Sequence, residues 1–502
     1  MFSGRRFTRV IMINVKKLAR LIHPEFRFGS TKLEQALKLV NLGVGGFCIY
    51  GGSVDEVFET VGILRAASRT PLLISSDYEN GAGQMLSGAT ELPSNMAVGA
   101  SGSPDIARRK GEITAVEAKA LGVDWIFAPV TDLAVNPANP IVNLRAYGAD
   151  PALASSLASA YISGLHSRNI ISTLKHFPGH GETSVDSHLV LPVLERTLED
   201  LEGSELRPYR ALLAQSDSVM AGHLKIPALD PDFPASLSRN IITGLLRGSL
   251  RYDGCVITDA LNMKAVSYGG AAGLKALLAG ADILLAPEDV MQLYEILIRA
   301  AGEGVITGQM VDCALSRQDR LAKMLSSVPL KPEGLSLVGC AEHRAFVREI
   351  SAKCLAWAFQ NKPFTVKAGE TVFYMEPLTP QKEWHGVAFV EELLRLGVRI
   401  EPFKDGVKGK KIIGSFSRPK AFSGAINLSG AAAAEIEAAV SGGGETLMAA
   451  FGSPFVFDGF HRRLNAGLCA FGGLGDFQRN AAAILTGAAA AGGTMPVDLK
   501  LK

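Results

Sequence analysis

Cysteine is sparse in this chain: six in 502 residues (Cys48, Cys255, Cys313, Cys340, Cys354, Cys469), with no close pairs. That spacing argues against a zinc ribbon or a disulfide framework, and most of the six lie in apolar stretches that suit reduced, buried thiols. Charge of one sign is also missing. Fifty-one Lys and Arg face 49 Asp and Glu for a net +2, and the densest basic patch, Lys408-Gly409-Lys410-Lys411, is short, which argues against nucleic acid as a partner. No apolar run approaches a membrane span, and the N-terminal VIMI core is too short for a signal-peptide h-region. The expectation is a cytoplasmic protein with no membrane partner; Met12 is an alternative start, and nothing in the sequence speaks to oligomeric state.

What is there is length enough for two domains and 47% hydrophobic residues. Short β-rich runs recur through the first 290 residues: 45–52, 71–79, 124–133, 170–178, 218–227, 254–261 and 280–287, with a further candidate near VIMIN. They are almost continuously apolar, as parallel strands buried on both faces are, and they alternate with helical patterns such as 105–120. Asp77, Asp132, Lys175 with His176, His223 and Asp259 each end one of these runs. In a parallel barrel such ends converge on one rim, where barrel enzymes build their sites. The reading is an α/β chain: a (β/α)8 TIM-like barrel over 1–325, a linker over 326–340, and a smaller α/β sandwich over 341–502. In the second unit HRAFVREISAKCLAWAF reads as a helix, and TVFYMEP, KKIIGSF and ETLMAAF as strands.

The densest chemistry lies in KHFPGHGETSVDSH, Lys175 to His188, which holds three of the nine histidines. Asp186 stands two residues before His188, placed to accept the ring N–H, fix its tautomer and raise its basicity. Asp259 reads either as a helix N-cap or, beside such a proton donor, as the carboxylate nucleophile of retaining glycosidic cleavage. His176 and His180 have the i,i+4 spacing of a zinc pair on a helix, but Pro178 and Gly179 between them oppose a helix; His180 is given no catalytic role. Asp77 and Glu79 are candidates to accept sugar hydroxyls. Lys175 reads equally as a rim salt bridge or a sugar contact, and Arg145 as an ion pair with Asp150.

The motif closely resembles the signature of bacterial β-N-acetylglucosaminidases of glycoside hydrolase family 3. DYENGAGQ (77–84), GATELPSNMAVGA (88–100), FAPVTDLAVNP (127–137), LRAYGADP (144–151) and ITDALNM (257–263) support the resemblance, and GTMPVDL (493–499) resembles the closing strand of the family's second domain. The resemblance implies a retaining exo-hydrolase with Asp259 as nucleophile and His188 as general acid/base, partnered by Asp186. It implies that Asp77, Arg145, Lys175 and His176 grip a terminal N-acetylglucosamine of peptidoglycan fragments (muropeptides), with no metal or organic cofactor. After Glu79 the chain departs from the shortest members, lacking the arginines they carry. Because every implied catalytic residue precedes residue 290, the second unit is expected to be dispensable for chemistry. Phosphate in place of water as acceptor, β-glucosidase-type activity, a metal-dependent barrel hydrolase and a non-catalytic sugar binder remain open alternatives.

Overall fold

The computed structural model describes residues 14–185, 189–266, 270–325, 331–377, 385–418 and 428–499. Among the described residues its first half carries nine short strands: β1 (Ile22–His23), β2 (Glu25–Arg27), β3 (Gly46–Tyr50), β4 (Leu73–Ser76), β5 (Trp125–Ile126), β6 (Thr173–Phe177), β7 (Ser218–Ala221), β8 (Cys255–Thr258) and β9 (Leu284–Leu285). β1 and β2 are one line of chain broken at Pro24, which has no N–H to give a ladder. β2, β3, β4 and β5 pair in sequence, as do β6, β7 and β8, and β1 pairs with β9, all in parallel. Parallel bridges Trp125–Ile171 and Val130–Lys175 join β5 to β6, and Ile257–Ile283 joins β8 to β9. The circuit of parallel contacts therefore returns on itself through eight staves.

The strand candidate near VIMIN falls almost wholly outside the described residues: 10–13 lie beyond them, and Asn14 caps the helix Val15–Ala19. The first described stave falls at 22–27, where Pro24 and alternating charge hide it from a search for apolar runs.

Cys48, Leu73, Trp125, Phe127, Ile171, Met220, Cys255, Ile257 and Ile283 fill the barrel interior. The Trp125 indole N–H lies 2.7 Å from Thr173 Oγ1 and 3.2 Å from Ser218 Oγ, so its polar edge is satisfied inside the core. The outer helices obey local rules. Pro104–Leu121 starts on Ser103, whose hydroxyl accepts from Ile106 N, has Pro at its first position, and stops at Gly122 with φ 78°. It crosses Pro151–His166 at Gly111 and Gly164, where an added Cβ would come within 2.3 Å and 2.2 Å of backbone oxygens of the facing helix. Only glycine permits that approach.

The second unit is a sheet of β10 (Ala356–Gln360), β11 (Thr371–Met375), β12 (Arg399–Pro402), β13 (Lys410–Ser415), β14 (Thr446–Ala450) and β15 (Ala466–Cys469) in the order β10-β15-β14-β13-β11-β12. All pairs are parallel except β10 with β15. With helices such as Ala341–Cys354, Val387–Arg395 and Gly475–Leu485 it forms an α/β sandwich. The expected long helix ends at Cys354, and AWAFQ, rich in aromatics, becomes the edge strand β10. GTMPVDL is not a strand. It leaves the sandwich and seals on the barrel, with Thr494 N donating to Ala100 O (2.8 Å) and Ala149 N donating to Pro496 O (3.0 Å).

The two halves share one apolar core that runs from Met96 and Tyr147 to Cys354 and Leu355. Buried Glu117 on the barrel helix ties them further, accepting from Thr90 N (3.0 Å), Gly339 N (3.0 Å) and His343 Nδ1 (2.7 Å). Among the described residues no helix is long and apolar enough to cross a membrane.

Candidate active site

Parallel barrel strands deliver their C-terminal residues to one rim, and that rim carries Asp77 and Glu79 after β4, Asp132 after β5, Lys175 and His176 in β6, His223 after β7 and Asp259 after β8. Lys175 Nζ is the hub, 2.7 Å from Asp77 Oδ1 and 2.6 Å from Glu79 Oε1. Glu79 also accepts a two-pronged contact from Arg145, Nε at 2.9 Å and Nη2 at 2.7 Å. Burial alone would raise the Glu79 carboxyl, but the Arg145 and Lys175 cations outweigh it and hold Glu79 well below the ordinary carboxylate range. Burial would lower the Lys175 and Arg145 cations; their carboxylate partners reverse that and hold both above their usual values.

This geometry divides the two acidic candidates. Glu79 has a side-chain exposure of 3% and is consumed by its cations, so it is an anchor rather than an acceptor of sugar hydroxyls. Asp77 keeps 23% exposure, and Tyr50 Oη donates to its Oδ2 at 2.9 Å. Arg145 does not pair with Asp150, which caps the helix Pro151–His166 by accepting from Ala152 N and Leu153 N. The turn Asn143–Arg145 sends the guanidinium inward to Glu79 instead.

Asp132 proves to be the second hub. It accepts from His176 Nδ1 at 2.6 Å, from His176 N at 3.2 Å and from His180 N at 2.7 Å. Burial pushes its carboxyl up, and the His176 and His180 contacts more than compensate, leaving it below its usual value. With hydrogen on Nδ1, the lone pair of His176 Nε2 faces Arg145 Nη2 at 3.4 Å; a guanidinium only donates, so the two partners fix the tautomer. His180 is buried, with Nδ1 2.7 Å from Thr183 Oγ1. Burial pushes its imidazole down to about 4, opposed first by Asp132 and, more weakly, by the charge of Asp259. Among the described residues no group of three His, Cys, Asp or Glu is arranged to hold a metal ion.

Asp259 is half-buried at the end of β8; its N–H donates to Ala221 O (2.9 Å) and its Oδ1 accepts from Ala260 N (2.8 Å). His223 supports that turn from below, with Nε2 3.0 Å from Ala260 O and Nδ1 2.6 Å from Ser236 Oγ. The Asp186–His188 pair lies outside the described residues. Its N-terminal root does not: Asn136 Nδ2 donates to Glu182 O (2.8 Å), and Asn139 Nδ2 donates to His180 O (2.8 Å) and Gly181 O (3.0 Å). Asn139 Oδ1 accepts from Ile141 N and Val142 N, so one amide braces both the histidine loop and the turn that carries Arg145.

The second unit touches this rim. Ser94 Oγ donates to Phe471 O (2.7 Å) and Asn143 Nδ2 donates to Ser453 Oγ (3.1 Å). A cavity of about 100 Å³ is bounded by Asn80, Gln84 and Arg145 on the barrel side and by Arg418, Phe471 and Leu474 opposite. Sequence reasoning passed over Glu79 as an anchor, Asp132 as a clamp, and Asn136 and Asn139 altogether. The repeated Asn-Pro steps at 136–140 were the one available signal for the last two.

A closed parallel barrel with charged and imidazole groups gathered on its C-terminal rim defines a barrel-enzyme site. Residues 13–321 match the Glycosyl hydrolase family 3 N terminal domain, and the chain belongs to that family of glycoside hydrolases. A beta-N-acetylglucosaminidase/beta-glucosidase of Cellulomonas fimi is 31% identical over 332 residues, covering 62% of this chain and 59% of that protein; the chain thus spans under two thirds of that relative. A beta-hexosaminidase of Pseudomonas aeruginosa PAO1 is 37% identical over 254 residues, covering 49% of this chain and 76% of that one. The solved structure of a glycoside hydrolase family 3 beta-N-acetylglucosaminidase from Paenibacillus sp. FPU-7 superposes with a TM-score of 0.85 at 29% identity, over 97% of this chain and 99% of that one.

Proposed function

We propose that the chain is a retaining, exo-acting β-N-acetylglucosaminidase that releases terminal N-acetylglucosamine from peptidoglycan fragments, muropeptides, in the cytoplasm. The observation that carries this reading is that Asp259 ends β8 on the same rim as the Asp77–Lys175–Glu79–Arg145 cluster. The beta-N-acetylglucosaminidase and beta-hexosaminidase relatives supply the substrate class. Asp77, still partly exposed, accepts hydroxyls of the terminal sugar, while Lys175, Arg145 and His176, held by their buried partners, complete the grip. Asp259 attacks the anomeric carbon as the leaving oxygen takes a proton from His188, oriented by Asp186. Water, deprotonated by His188, then releases the sugar with retained configuration.

The test is to trap the intermediate with a slow fluorinated N-acetylglucosaminide and map the labelled peptide. A label on Asp259 is expected; an inverted product, or a label elsewhere, overturns the assignment. Running the reaction in phosphate buffer separates hydrolysis from phosphorolysis, because only the latter yields sugar 1-phosphate. Comparing N-acetylglucosaminide with glucoside substrates settles sugar selectivity.

A further inference from the structure

Lys110 projects from an outer barrel helix, yet its side chain is fully buried beneath the rim. Its Nζ donates to Asn95 Oδ1 (2.6 Å), Pro93 O (2.8 Å) and Asn80 Oδ1 (3.1 Å). An ammonium has three donors and no acceptor, so it dictates which end of each amide faces it. The Asn95 oxygen must point to Lys110, which turns its NH2 outward, and that NH2 donates to Arg145 O at 2.7 Å. Asn80, oriented by the same ammonium, immediately follows Glu79 and fixes the start of the next turn by donating its own N–H to the Gln84 side-chain oxygen, Oε1 (2.8 Å). One buried cation thus ties the backbone on both sides of the Glu79–Arg145 pair. Burial pushes Lys110 down to about 7, against the pull first of Glu79 and then of Cys354; three oxygen acceptors call for the charged form.

We propose that Lys110, acting through Asn95, is a positioning residue that sets the placement of Arg145 against the terminal sugar. This rests on the reading of Arg145 as a sugar contact. If Asn95 lost its orientation, the Arg145 carbonyl would lose its donor and the turn Asn143–Arg145 could relax, carrying the guanidinium off its sugar-facing geometry. Small displacements of such groups are expensive.

The experiment is steady-state kinetics and thermal unfolding on the full chain with an aryl N-acetylglucosaminide, for wild type, Arg145→Met, Lys110→Met, Asn95→Asp and the Lys110→Met/Asn95→Asp double variant. Asn95→Asp keeps an acceptor for Lys110 but cannot donate to Arg145 O, so it isolates the relay and serves if Lys110→Met does not fold. Expected is a KM raised about tenfold in Arg145→Met, and by about three- to tenfold in Lys110→Met and Asn95→Asp, with kcat within about threefold of wild type. The double variant should show no more KM loss than the worse single variant, because both break one relay. A lowered Tm with unchanged KM in Lys110→Met and Asn95→Asp, while Arg145→Met still raises KM, makes Lys110 merely structural and overturns the inference alone. An unchanged KM in Arg145→Met overturns the sugar-contact reading, and the inference with it.

Discussion

Lys175 Nζ lies 2.6 Å from Glu79 Oε1, and both side chains are almost wholly excluded from solvent. A buried pair of this kind is weak evidence for stability in itself, yet removing one partner leaves an uncompensated charge. Here the pair is extended by Arg145 on one side and Asp77 on the other, so two cations meet two carboxylates and each cation touches a carboxylate directly. The balance explains how four charged groups can gather on one rim with little access to water.

Lys175→Met removes one of the two cations and leaves Glu79 with Arg145 alone. It is expected to cost about 3–5 kcal/mol of stability and to raise KM for the aryl glycoside more than it lowers kcat. Chemical unfolding beside steady-state kinetics checks both. A variant as stable as wild type would mean that the cluster is hydrated and loosely held.

Asp259→Asn is expected to fold with nearly wild-type Tm and to lose several orders of magnitude in kcat on every aryl glycoside. If activity instead stays close to wild type, the carboxylate only braces its own turn by accepting from Ala260 N.

His188→Ala should discriminate among leaving groups. A 2,4-dinitrophenolate departs almost without protonation, whereas a sugar hydroxyl does not. The variant should therefore keep much of the first step on the activated substrate, show a burst as the intermediate accumulates, and lose most activity on a disaccharide. Asp186→Ala should give a milder form. Equal slowing of both substrates with no burst would remove His188 from the donor role and make Glu182 the next candidate.

Acid should destabilise the fold before the carboxylates titrate. Burial, with Arg20 nearby, pushes His23 down to about 3, and His180 stands at about 4. Below the ordinary histidine value near 6.5 the unfolded chain takes up protons that these folded rings refuse, so stability is full above that value and falls as pH drops toward 4 and 3. At pH 5 each ring should cost about 2 kcal/mol. Glu79 and Asp132, held low, add to the loss only below about pH 4.5. Tm measured from pH 7.5 to 5 should fall in wild type and fall less in His23→Gln; parallel curves would show that His23 does not govern the slope.

A chain ending near Ser336 should fold poorly. It would strip Gly339 N and His343 from buried Glu117, open the shared core at Tyr147, and remove the segment that seals Ala100 and Ala149. Low solubility, or a Tm far below that of the full chain, is the expected result. A soluble, active barrel would return the second unit to the dispensable role expected from sequence.

The order of elements, the parallel barrel and the rim positions of Asp77, Asp132, Lys175, His176, His223 and Asp259 were legible in the chain, because buried parallel strands are written as apolar runs and their ends are local in sequence. The first stave and β10 were not, since their strand character comes from neighbours that pair with them rather than from their own composition. Tertiary structure alone decided the partners. Glu79 and Arg145 are 66 residues apart and Lys175 and Asp77 are 98 apart, and no spacing rule reaches that far. Nor does periodicity say that Lys110 points into the core, that Asn139 braces two loops, or that residues 494–496 return to the barrel. Those choices follow from which buried polar groups must find partners once the chain closes, and that requirement exists only in three dimensions.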